Sequence, residues 1–182
     1  MAPLELSAAL SEAGVSLRPV AEADMPFLQH LYRTTRWDEL APTHWPDEAK
    51  IGFLDQQFAF QRRHYQTAFA DAEFYLISRG EDPIGRIYLD RTRQDLHLIE
   101  ISLLPEWRGR GLGTALLTML QQEAQARPGG RVVLNVLATN PARRLYARLG
   151  FVETAGEQEF PDLYVEMAWS PPDLPSCTGT VS

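Results

Sequence analysis

The feature that most limits what this chain can fold into is the run Leu103-Leu104-Pro105-Glu106-Trp107-Arg108-Gly109-Arg110-Gly111-Leu112-Gly113-Thr114. A β-rich stretch precedes it and a helical pattern follows, so its glycines lie where a strand must turn sharply into a helix. Glycine permits close backbone approach, and the free N–H groups and dipole at a helix N-terminus favour an anion such as phosphate. Arg108 and Arg110 add positive charge. The run lacks the Gly-Lys-Ser/Thr ending of a P-loop and the three-glycine spacing of a dinucleotide fingerprint. A plain strand-to-helix connection is the alternative reading.

The flanking periodicities place this loop in a fold. Residues 15–18 predict a first strand, and Asp24 is set to cap a helix with Pro26 in its first turn. A Trp-, Pro- and Thr-rich loop spans 37–46, and Asp47 can cap a second helix reaching about residue 70, with Ile51, Leu54 and Phe58 as its apolar stripe. Runs at 74–78, 84–90 and 96–104 read as an antiparallel meander. A helix over 111–127, a strand over 132–137, a short helix over 141–149 and strands near 151–154 and 163–169 complete the pattern. Because strand, loop, helix and strand succeed one another around 96–137, those two strands are expected to be parallel neighbours joined by a crossover. The fold class is therefore α/β (α+β), in one domain over residues 14–169. Residues 1–13 and 170–182 are expected to be flexible.

Composition excludes several functions. With a formal net charge of −7 and no basic stripe, the 182-residue chain is not expected to bind nucleic acid. Cys177 is the single cysteine, so no internal disulfide or cysteine-rich metal site can form. His30, His44, His64 and His97 lack paired ligand spacing. No metal is expected. The sequence shows no apolar span of membrane length and no secretory leader, which points to a cytoplasmic location.

Arg108-Arg110-Gly111-Gly113 resembles the pyrophosphate loop of the GNAT superfamily of N-acetyltransferases, (Gln/Arg)-x-x-Gly-x-(Gly/Ala). A second segment, running from Asn140 through Ala142, Leu145 and Tyr146 to Gly150-Phe151, resembles that family's Asn…Ala-x-x-Leu-Tyr…Gly-Phe signature. Asn140 lies six positions before Tyr146, whereas many relatives have seven. The resemblance covers roughly residues 15–169. It implies a mixed, mostly antiparallel sheet whose central parallel pair splays apart, with helices on its flanks.

It also implies that acetyl-CoA serves as co-substrate. Backbone groups of Leu103 and Leu104 would meet pantetheine, and the amides of Arg108, Gly109, Arg110, Gly111, Leu112, Gly113 and Thr114 would meet pyrophosphate. Asn140 and Arg143 are grouped with these cofactor contacts.

Transfer from a thioester to an amine needs an unprotonated nucleophile, stabilisation of an oxyanion and a proton for the thiolate. Tyr146 matches the family's general acid; a core tyrosine is the alternative. A strand amide such as that of Leu103 suits the oxyanion. Glu100, read as sharing a face with Leu98 and Ser102, is a candidate base, and solvent exposure explains it equally. Gln57, Gln61 and Tyr65 share one helical ridge and, with Trp37 and Trp45, are candidates for the acceptor site; packing and solvation are the alternatives. The expected activity is acetyl transfer to a primary amine of a small molecule or peptide. A non-catalytic acyl-CoA sensor is the alternative, and a homodimer is left open.

Overall fold

The computed structural model describes residues 4–154 and 163–172. Seven strands form one sheet in the order β1-β2-β3-β4-β5-β7-β6: β1 is Val15–Pro19, β2 Glu73–Arg79, β3 Asp82–Asp90, β4 Leu96–Leu103, β5 Val132–Leu137, β6 Val152–Thr154 and β7 Tyr164–Trp169. Every neighbouring pair is antiparallel except β4 and β5, which run parallel. The expected meander and crossover are both present. The helices are α1 (Ala8–Glu12), α2 (Met25–Arg36), α3 (Asp47–Ala68), α4 (Leu112–Gln125) and α5 (Arg143–Arg148). The stretch from Trp37 to Thr43, expected as a loop, is a 3₁₀ helix.

Two clusters hold the layers together. On one face, Ile77, Ile87, Leu89, Leu96 and Leu98 pack against Leu116, Leu117 and Leu120 of α4. On the other, Leu76 meets Leu28, Tyr32, Leu54 and Phe58 of α2 and α3. The N-terminal segment differs from expectation. Leu10 is 2% exposed and Leu4 8%, both in the larger cluster, so residues 8–12 form a short helix docked by these side chains. The expected C-terminal tail mostly lies outside the described residues, though Pro171 is buried.

Asp24 occupies the cap position of α2 without capping it. Its carboxylate accepts two hydrogen bonds from Arg18, at 2.7 and 2.6 Å, and one from the Ala21 amide at 2.7 Å. The ion pair outcompetes the cap. Asp47 is the first residue of α3, and Pro46 precedes it at the cap.

The ladder between β3 and β4 slips between Tyr88 and Leu89, leaving Ile99 as the extra residue of a bulge. A bulge bends its strand and reverses the sense of alternation beyond it. Leu98 therefore faces Leu89, while Glu100 faces Tyr88 on the opposite side of the sheet. The expectation that Glu100 and Leu98 share a face is corrected by this bulge.

Gly85 shows how tightly β3 and β4 approach. A Cβ there would collide with the Ser102 carbonyl oxygen and come within 2.7 Å of Leu103 Cδ2. Gly85→Ala is expected to cost about 1–3 kcal/mol through this overpacking. Urea unfolding of the variant beside wild type measures it.

Candidate active site

The parallel pairing of β4 with β5 covers only Leu96 with Val132, His97 with Val133 and Leu98 with Leu134. Both strands continue, so from Glu100 to Leu103 and from Asn135 to Leu137 they diverge. The bulge at Ile99 sits where they part. Leu104 donates its amide to the Ile84 carbonyl at 2.9 Å, which makes Gly85 and Leu103 a non-hydrogen-bonded pair. By the alternation of an antiparallel ladder, the Ile101 and Leu103 amides then point away from β3, toward the gap. The amide of Leu104 is already used by the sheet. The Leu103 carbonyl accepts from Arg108 Nε at 2.9 Å.

The glycine loop follows directly. Gly109 and Gly111 have φ of +69° and +82°, and a Cβ at either would meet nothing within 4 Å. The left-handed turn at Gly111 opens α4, whose first outside bond runs from the Ala115 amide to the Gly111 carbonyl at 2.9 Å. The amides of residues 109–114 have no acceptor among the described residues. They form a row of donors at a helix N-terminus with open space above two glycines, an arrangement that fits a diphosphate. Gly113 instead packs against α5, its Cβ position 3.4 Å from Leu145. Arg79 and Arg110 lie over the Trp107 ring at 5.2 and 5.1 Å, which anchors the turn before the glycines.

Tyr146, on α5, is 7% exposed, its ring 5.8 Å from that of Phe151. Its hydroxyl has no hydrogen-bond partner among the described residues. Burial, and then the Glu100 charge, push its pKa up to about 12. Asn140 turns its side chain into the chain itself, its Oδ1 accepting from the Ala142 amide at 2.9 Å. Arg143 donates to the Ala138 carbonyl at 2.6 Å and pairs with Glu153. Both residues brace the turn that presents Tyr146.

Glu100 lies at the centre of a polar network. Its Oε1 accepts from Arg86 Nε at 3.0 Å, from Arg86 Nη2 and from Ser102 Oγ at 2.9 Å. Tyr65 donates its hydroxyl to Oε2 at 3.1 Å. Gln61 closes the ring, accepting from Arg86 Nη2 at 2.9 Å and donating to the Tyr65 oxygen at 3.3 Å. Arg86 is 2% exposed. Its guanidinium also lies over the rings of Tyr88 and Phe58, at 5.1 and 5.9 Å. The sequence analysis missed Arg86, although a lone arginine inside an apolar strand, one meander strand from a lone glutamate, was a legible signal.

Of the proposed acceptor ridge, Gln61 and Tyr65 join this network and Gln57 does not. Trp37 packs against the smaller core cluster with Lys50 Nζ 5.5 Å from its ring. Trp45 is 43% exposed and contacts Phe53. Among the described residues no group of His, Cys, Asp and Glu could hold a metal ion, and no helix is long and apolar enough to cross a membrane.

Burial raises the pKa of Tyr32, Tyr65, Tyr88 and Tyr146 alike. Each then holds its proton more tightly folded than unfolded. Their contribution to stability is complete below the ordinary value of 10.0 and is lost as pH rises through the raised folded values. The unfolding free energy is expected to decline between pH 10 and pH 12, a fall that Tyr146→Phe makes shallower. Urea titrations across that range read both.

Comparisons with known proteins agree with this geometry. Residues 32–151 match the family described as Acetyltransferase (GNAT) family. No curated protein matches. An acetyltransferase from Thermus thermophilus superposes with a TM-score of 0.61 at 18% identity, covering 86% of this chain and 97% of that one. PaiA N-acetyltransferase from Thermoplasma acidophilum, in complex with coenzyme A, gives 0.59 at 17%, covering 85% and 99%. Arabidopsis thaliana Naa50, in complex with the bisubstrate analogue CoA-Ac-MVNAL, gives 0.56 at 19%, covering 86% and 99%. With a splayed parallel pair, a glycine loop of free amides and a family match over most of its length, the chain belongs to the GNAT acetyltransferase family.

Proposed function

We propose that this protein transfers an acetyl group from acetyl-CoA directly to a primary amine. The observation that carries the reading is the row of unpaired amides at residues 109–114, set beside the gap between β4 and β5. Pyrophosphate would be held by those amides and by the dipole of α4, with Arg108 and Arg110 adding charge at the surface. Pantetheine would follow the gap past Leu103, where the outward amides of Ile101 and Leu103 can donate to the acyl oxygen as it gains charge. The coenzyme A in the PaiA structure and the bisubstrate analogue in that of Naa50 support this choice of donor.

In this reading the neutral amine attacks the thioester carbonyl, the carbon–sulfur bond breaks, the departing sulfur takes a proton from Tyr146, and the proton shed by the acylated nitrogen returns through water to the Tyr146 phenolate. Glu100 fits a different part from that of a direct base. Both its oxygens are taken up by Arg86, Ser102 and Tyr65, so its charge is held in place beside the reacting atoms. There it attracts a cationic amine and opposes ionisation of Tyr146. The incoming amine would lose its proton to water.

Gly111→Val tests the donor site. Open space at the Cβ position means the cost to the fold is confined to a strained φ, whereas the isopropyl group would stand where the phosphates approach. Titration calorimetry is expected to show acetyl-CoA affinity reduced at least about 100-fold, or by roughly 3 kcal/mol, while ATP and NAD bind neither form. Unchanged affinity overturns the assignment of the loop. The acceptor, whether small molecule or peptide, is to be read from an amine panel by release of the coenzyme A thiol.

A further inference from the structure

A cavity of about 200 Å³ opens between the sheet and the α2–α3 pair, apart from the gap that would take the thioester. Much of its lining is apolar or aromatic: Met25 and Leu28 of α2, Phe58 of α3, Phe74 of β2 and Tyr88 of β3. Phe74 and Tyr88 stand edge to face at 4.8 Å, and Phe58 and Leu28 are 8% and 1% exposed, so these surfaces are held in place by the core. Well-packed interiors keep few voids larger than a water molecule. An apolar cavity of roughly 150 Å³ accommodates a benzene ring. This one has room for a ring and a small substituent.

One wall is polar. Gln61, Tyr65 and Arg86 form it; Tyr65 and Arg86 bond Glu100 on their far side, and Gln61 bonds both of them. The guanidinium is ion-paired with Glu100, which lies behind it. Its Nε and Nη2 are spent on Glu100 and Gln61, and its Nη1 has no hydrogen-bond partner among the described residues. The Gln61 amide has two N–H groups and gives one to Tyr65, so the other is left for a ligand's acceptor atom. At the mouth, Arg62 and Glu22 pair with each other at 2.7 Å.

We propose that this cavity is a binding site for an uncharged group of one aromatic ring bearing a hydrogen-bond acceptor. The group belongs either to the acceptor substrate or to a free small molecule. Occupancy is coupled to Glu100 through Gln61, Tyr65 and Arg86.

The probe is benzyl alcohol, titrated into ¹⁵N-labelled protein and followed by amide chemical shifts. Saturable shifts are expected at residues 20–28, 58–66, 74 and 86–88, with the loop at 109–114 unmoved. Gln66→Trp, an exposed position on the lining of the mouth, is expected to weaken binding about tenfold without altering the rest of the spectrum. Benzoate and benzylammonium are expected to bind at least tenfold more weakly than the alcohol, because the two cations of the lining, Arg62 and Arg86, are already paired with Glu22 and Glu100.

Absence of saturable shifts at millimolar probe, or shifts centred elsewhere, overturns the site. Tighter binding of benzoate overturns the uncharged class and assigns an anion to Arg86. In the amine assay, competition of benzyl alcohol with the acceptor identifies the substrate's own ring as the occupant; a change in kcat without competition identifies a free ligand. Because binding is read directly, a failure of the transfer reaction leaves this test intact.

Discussion

Tyr146→Phe is expected to lower kcat by about 10²–10³-fold while leaving acetyl-CoA affinity close to wild type, the range in which positioned general acids contribute. The ring stays, with its contact to Phe151 and its place in the core; only the proton is lost. A phenol pushed up to about 12 remains protonated at every pH where the enzyme would work, so it is always ready to donate. Such a phenol is a weak acid toward an ordinary thiolate, whose pKa lies near 8.5. The same burial and the same Glu100 charge act on a thiolate formed beside it, however, and raise its basicity as well. The two values move together.

Three readouts follow from that coupling. A thioester with a more acidic thiol is expected to restore part of the rate in the Phe variant, because its thiolate leaves without a proton. Glu100→Gln removes the smaller of the two causes and is expected to lower the alkaline limb of the wild-type profile only partway from about 12, burial still holding it above the ordinary phenol value. The acid limb, set by the amine, is expected to survive in Tyr146→Phe. Wild-type turnover by the Phe variant with a good acceptor sinks the assignment and leaves Tyr146 as packing.

The parts of this site that depend on local backbone were legible in the sequence. Gly109 and Gly111 adopt positive φ because the turn into α4 requires it, and that demand shows in the letters wherever the loop is placed. The crossover of β4, α4 and β5 follows from periodicity. What stayed hidden depends on tertiary context. The bulge at Ile99 carries no mark in the alternation, yet it turns Glu100 to the α3 face and gives it Arg86, Tyr65 and Ser102 as partners. Helix α1 is short, and Leu4 and Leu10 reveal their role only once α4 is there to receive them. Asn140 and Arg143, grouped with the cofactor contacts, form internal bonds that an isolated motif cannot announce.

Arg86→Leu is expected to destabilise the fold by about 3 kcal/mol, the lower end for breaking a buried pair, because the side chain of Glu100 retains 15% exposure and some access to water. The penalty comes from what is left behind. Without the guanidinium, a carboxylate stays on the α3 face of the sheet with two hydroxyl donors for its charge, and Gln61 loses the donor to its carbonyl. Removing the charge as well is therefore expected to recover much of the loss: Arg86→Leu/Glu100→Gln should be more stable than Arg86→Leu alone, with a coupling of about 1–3 kcal/mol in the cycle. Urea unfolding of the four proteins measures it at neutral pH. If the double variant is no more stable than the single one, the cost lies in the lost stacking of Arg86 on Tyr88 and Phe58 and not in an orphaned charge. Activity separates the functional question from the structural one. A freed Glu100 is expected to raise KM for the amine more than it lowers kcat, since a displaced carboxylate mislays the cation while Tyr146 and the amide row are untouched. A kcat loss as deep as that of Tyr146→Phe, with KM unchanged, would instead assign Glu100 to proton transfer in the chemical step.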